Sequence, residues 1–148
     1  MHHIKTTAPA GFLEQLQQQE KAIYEHGCVV ENAGAAPKAR IAAYQAMAAS
    51  VQGAISAAKT LHHRLDVGLA DHSLSPSQAK QLFQAMAGLA AWVGANASNT
   101  AVPAAVAALP GLDAAERSSL ASSRGQMERA QTVTEHQAAT YRKAARQL

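Results

Sequence analysis

Cys28 is the only cysteine in the chain. That excludes an intrachain disulfide and a metal cage made of cysteines alone, and it suits a reducing compartment. Bulky apolar residues are also scarce: Leu, Ile, Val and Phe together number 26 of 148, under the roughly 20% below which order becomes doubtful. Charge is short too, with 16% Asp, Glu, Lys and Arg and a formal net charge of +3. Disorder needs low hydrophobicity joined to high net charge, so the two shortages together point to closely packed helices with alanine at their contacts. Alanine supplies about half of the 48% apolar residues and is the best helix former. A core this thin also favours self-association.

Other absences narrow the functional classes. No run approaches the roughly 18 apolar residues needed to span a bilayer, and "MHHIKTTAPAGFLEQLQQQE" lacks the apolar stretch of a secretory signal. The expected location is cytoplasmic, or outside by a route that uses no Sec signal peptide. No P-loop string, GxGxxG or GxSxG occurs, which lowers the NTPase and hydrolase readings. There is no strand or hairpin signal and no repeat of 20 to 50 residues. The pI near 9.2 rests on scattered cations, a weak nucleic-acid signal.

What is present is helical periodicity. Phe12, Leu16, Ile23 and Val30 mark a first helix from Pro9, with "HGCVVENAGAAP" read as its stop and residues 1–8 as a flexible arm. Pro37 opens a second helix along the seam Ile41, Tyr44, Ala48, Val51, Ile55, Ala58, His62, Leu65 and Leu69. Beside that seam runs a small-residue stripe of Ala42, Ala46, Ala49, Gly53 and Ala57, suited to a close neighbouring helix. Ser75 and Pro76 begin a third helix, which Gly94 and Asn96 help to end, and a brief connector is read around Pro103 to Leu109. Asp113 and Glu116 form a capping box for a long last helix. Its seam of Leu120, Ser123, Met127, Ala130, Thr134, Gln137, Tyr141, Ala144 and Leu148 is polar enough to suggest contact with solvent or another chain. The expected fold is all-α: a single domain, residues 1–148, forming an elongated up-down bundle of four main helices plus one short connector helix.

Polar chemistry collects in "SAAKTLHHRLDVGLADH", Ser56 to His72. Asp66 lies four residues after His62 and three after His63, so a His/Asp pairing follows from local helix geometry. The structural reading makes His62 a partly buried histidine bonded to Asp66. The functional reading takes the last helix as antiparallel to the second and sets His136 level with His62, because both lie roughly 35 to 37 Å from their helix starts. His2, His3 and His72 would then join the same tip, near Asp71 and Glu135. On that reading His62, His63, Asp66 and His136 are candidate ligands for zinc, nickel or copper. Cys28 and His26 fall at the opposite tip, in a loop and without a partner to orient a base, so catalysis is not expected there.

Trp92-Val93-Gly94 resembles the Trp-x-Gly turn of the small helical-hairpin secreted proteins of the WXG family in three residues. The family's tyrosine-x-x-x-acid tail is absent, since Ala145 stands four residues after Tyr141; the family is not adopted. Trp92 is read as an anchor of the bundle or of an interface. The other interface candidates are Leu120, Met127, Tyr141 and Leu148 on the last helix. Arg142, Lys143 and Arg146 offer a phosphate grip, although cations in a last helical turn also follow from the macrodipole. The leading expectation is a non-enzymatic helical interaction or assembly protein (an adaptor, chaperone-like module or structural subunit, of a phage particle or secretion apparatus) whose partner is a protein or a second copy. The alternatives are a metal- or ligand-binding bundle using the histidine tip and a nucleic-acid binder using the basic C-terminal helix.

Overall fold

The computed structural model describes the backbone of residues 2–99 and 101–148, and the side chains of residues 11, 13–99 and 102–148. The helices are α1 (His2–Glu31), α2 (Pro37–Ala70), α3 (Pro76–Ala97), α4 (Ala101–Ala107) and α5 (Ala114–Arg146). No strand occurs among the described residues. The fold is an all-α bundle of four long helices with a short connector, as the periodicity indicates. At 1.5 Å per residue α2 and α5 are each about 50 Å long. Residues 2–8, expected as a flexible arm before a helix from Pro9, are instead part of α1, which begins at His2; their side chains lie outside the described residues.

Local chemistry sets several of the helix starts. Pro37 stands at the first turn of α2 and Pro76 at that of α3. Ser75 accepts from the backbone N–H of Gln78 while the Gln78 side chain accepts from the N–H of Ser75. Asp113 and Glu116 make the same reciprocal pair at α5, so each capping box satisfies two otherwise unpaired donors. Between α2 and α3 the chain reverses through His72, whose φ of 61° is left-handed, a conformation histidine enters more readily than most residues. At the end of α1 the cap comes from elsewhere: buried Arg40, in the first turns of α2, donates from Nε to the carbonyl of Val30 at 2.9 Å. A cation thereby meets the negative end of α1, which has no basic residue in its own last turn.

α1 ends inside the stretch expected to stop it, 26–37, and α3 one residue past Asn96, but neither Gly27 nor Gly94 is the end point. α1 continues through Gly27 and Cys28 to Glu31, so Cys28 is an exposed helical residue, and α3 continues through Gly94 to Ala97. A glycine inside a helix costs roughly 1 kcal/mol, and packing overrides it. At Gly94 the reason is visible: a Cβ there would lie 2.6 Å from Thr134 Oγ1, so the glycine lets α3 and α5 approach. The connector is shifted two residues toward the N-terminus of its expected position.

α1 packs most extensively on α2, and α3 on α5, while α2 joins the two pairs through α3 and α5. Gln137 Nε2 on α5 donates to the carbonyl of Ile55 on α2 at 3.2 Å, and Tyr141 meets His62 one to two turns further along both helices. α2 and α5 therefore run parallel, as alternating helix directions require, and the antiparallel assignment of the last helix is corrected. The expected small-residue stripe of α2 is met in part: Ala46, Gly53 and Ala57 are half-buried, and a Cβ at Gly53 would lie 2.8 Å from the Gln19 side chain of α1. Arg40, Ala43, Met47, Ala54, Leu61 and Gly68 are buried, whereas Ala42 and Ala49 are exposed.

The seam of α5 lies where the periodicity puts it but faces inward. Leu120, Ser123, Met127, Ala130, Thr134, Gln137 and Tyr141 are all buried. Its polar members are satisfied within the fold: Thr134 Oγ1 donates to the carbonyls of Ala130 and Gln131, and Gln137 to that of Ile55. The expectation of a wet or partner-facing seam is overturned.

Candidate functional site

At the end of the bundle where α2 and α5 finish, His62 sits between two rings. Its ring centroid is 5.5 Å from those of Phe83 and Tyr141, edge-on to both, and the Phe83 and Tyr141 rings stack at 6.4 Å. Asp66 Oδ2 is 3.5 Å from His62 Nε2, with the two side chains 33% and 63% exposed. The His62–Asp66 pairing expected from spacing is present, on a histidine whose ring is largely an aromatic packing element. Burial pushes the Tyr141 phenol up to about 12.

The other proposed metal ligands do not join this pair. His63 is exposed on α2 and His136 is exposed on α5. Thr134, Gln137 and Tyr141 define the inward face of α5, and at 100° per residue His136 points about 160° away from Thr134. Neither its level nor its face is as expected: Gln137 meets Ile55 and it is Tyr141 that meets His62, so His136 lies more than a turn short of His62 along α5. Among the described residues no three His, Cys, Asp or Glu side chains gather to hold a metal ion. The side chains of His2 and His3 lie outside the described residues. His72 is used by the turn after α2.

Of the proposed interface residues, Leu120, Met127 and Tyr141 are each 2% exposed and belong to the core, while Leu148 is 40% exposed. Trp92 is half-buried against the core. Three of the five are thus unavailable to a partner in this fold. The space between Leu16, Ile55, Met86 and Thr134 is about 10 Å³, room for about one water.

Two open grooves were not read from the sequence. The first, about 600 Å³, lies between the N-terminal halves of α2 and α5 and is lined by Gln45, Ala49, Gln52, Ala115, Ser118, Ser119, Ser122, Ser123 and Gln126. No charged side chain lines it. The signal was there in part, in the exposed edge of the alanine stripe on α2 and in the spacing of Ala115, Ser119, Ser122 and Gln126 on α5. The second groove, about 480 Å³, lies between the start of α3 and the end of α5 and carries Lys80, Arg142 and Arg146. It includes two of the three basic residues proposed to grip phosphate; Lys143 is exposed outside it.

No helix among the described residues is long and apolar enough to cross a membrane. Comparison with known protein families, curated proteins and solved structures gives no match for this chain.

Proposed function

We propose that the chain is a non-enzymatic helical interaction protein and that it associates with a second copy of itself through the groove between α2 and α5. The supporting observation is the uncharged lining of that groove, made of alanine, serine and glutamine. Small side chains let a helix axis come close, and Ser and Gln can donate and accept, so such a surface can pair with its own copy across a two-fold axis. On a chain of net charge +3, a neutral face is also where two copies meet with least repulsion.

Sedimentation equilibrium over a wide concentration range tests the reading. The parent should move from the 15.4 kDa chain mass toward twice that value. Ala49→Glu and Ser122→Glu, both at exposed positions, should hold it at the chain mass without loss of helical circular dichroism. A parent that stays monomeric up to about 1 mM, where even an affinity of −4.1 kcal/mol would register, overturns self-association as the function.

A further inference from the structure

We infer that the groove between α3 and α5 is a binding site for a compact oligophosphate anion. Lys80, Gln84 and Gly88, at successive turns of α3, line one side of the groove, and Arg142 and Arg146, one turn apart on α5, line the other. Like charges spaced i, i+4 on a helix repel, and here a third cation is added from the facing helix. No acidic residue stands three or four positions from Lys80, Arg142 or Arg146 in the sequence, and among the described residues no carboxylate forms an ion pair with any of them. The macrodipole accounts for Arg146 at the negative end of α5. It does not account for Lys80, which lies in the second turn of α3, at that helix's positive end.

Three cations and one side-chain amide lining a single groove fit a ligand with several phosphate oxygens. Each guanidinium offers a planar fork that matches a phosphate edge, and the lysine supplies a point charge. A Cβ at Gly88 would meet nothing within 4 Å, so the α3 side of the groove is open one turn beyond Gln84. The groove spans about two helical turns, near 12 Å, which suits a di- or triphosphate and not a long duplex.

Isothermal titration of the full chain with inorganic triphosphate tests the site. Lys80→Gln, Arg142→Gln and Arg146→Gln should each weaken binding about fivefold, as expected for exposed charge-assisted contacts, while Lys143→Gln should leave it unchanged. Gly88→Leu keeps every cation and improves helix propensity, so it should fold; it should weaken binding at least tenfold by placing a bulky side chain in the groove from its α3 side. Helical circular dichroism of each variant confirms folding. Any of four results overturns the site: no heat of binding up to 1 mM triphosphate; Gly88→Leu binding like the parent; Lys143→Gln losing as much as Arg142→Gln; or a short DNA duplex binding more tightly than triphosphate with all four cations contributing. The last two outcomes would reassign the residues to a diffuse basic surface.

Discussion

Single side chains in this bundle take roles that their position in a pattern does not announce. Arg40 reads as one more cation near a helix start, yet it is buried and closes the end of α1 through the Val30 carbonyl. A bond between residues ten apart across a turn has no periodic signature, which is why the sequence reading missed it. His62 was legible as a partner of Asp66, because that geometry is local. Its contacts with Phe83 and Tyr141 were not, because they join three helices. Tyr141 permits a sharp test. Its neutral, protonated form is favoured in the folded chain, where burial raises the phenol to about 12, while the unfolded chain loses the proton near 10. The associated stability is complete below pH 10 and is lost as the pH rises toward 12. At 1.36 kcal/mol per unit it amounts to at most about 3 kcal/mol. Denaturant titrations at pH 9 and pH 12 should show the parent losing more stability than Tyr141→Phe by about 2 kcal/mol. Tyr44, also raised, mainly by burial, with Arg124 opposing and Glu128 adding, is common to both proteins and cancels. Equal losses would mean that the phenol of Tyr141 does not resist ionisation.

Helix boundaries separate what is local from what is tertiary. The starts at Pro37, Ser75 and Asp113 were readable because a proline at the first turn or a reciprocal cap involves only neighbouring residues. Neither Gly27 nor Gly94 ends its helix, because the preference that normally does so is worth only about 1 kcal/mol, less than the packing of the surrounding helix. At Gly94 that packing includes the approach of Thr134. Gly94→Ala should therefore destabilise the chain by about 1 to 3 kcal/mol, through overpacking, although alanine is the better helix former. Thr134→Ala removes the oxygen that the new Cβ would strike. In a double-mutant cycle by urea unfolding, the pair should be less destabilised than the sum of the single variants by at least about 1 kcal/mol. Simple additivity would place the α3–α5 contact elsewhere.

At the scale of the whole molecule, composition led to one correct and one incorrect inference. Few bulky side chains and many alanines do give closely packed helices, and the all-α bundle follows. The further step, that a thin core must leave the polar seam of α5 to a partner, fails because Ser123, Thr134 and Gln137 are buried with the apolar residues. Periodicity shows which residues share a face. It does not show that a glutamine on that face will find a backbone carbonyl on another helix. The grooves were half legible for a related reason: Arg142 and Arg146 are adjacent turns of one helix, but Lys80 joins them only when α3 folds back antiparallel to α5. The reassignment of the seam changes what a substitution there should do. Met127 is 2% exposed, so its truncation should act on folding of the single chain and not on assembly. Met127→Ala should lower the unfolding free energy by about 2 to 5 kcal/mol, the range for a buried methionine that leaves a cavity, and by the same amount in dilute and concentrated protein. A seam used for association would behave otherwise, because stability gained from a partner depends on concentration. Urea unfolding of parent and variant at two concentrations a hundredfold apart distinguishes them. A deficit that appears only in the concentrated sample would return Met127 to an interface, whereas a constant deficit keeps it in the core.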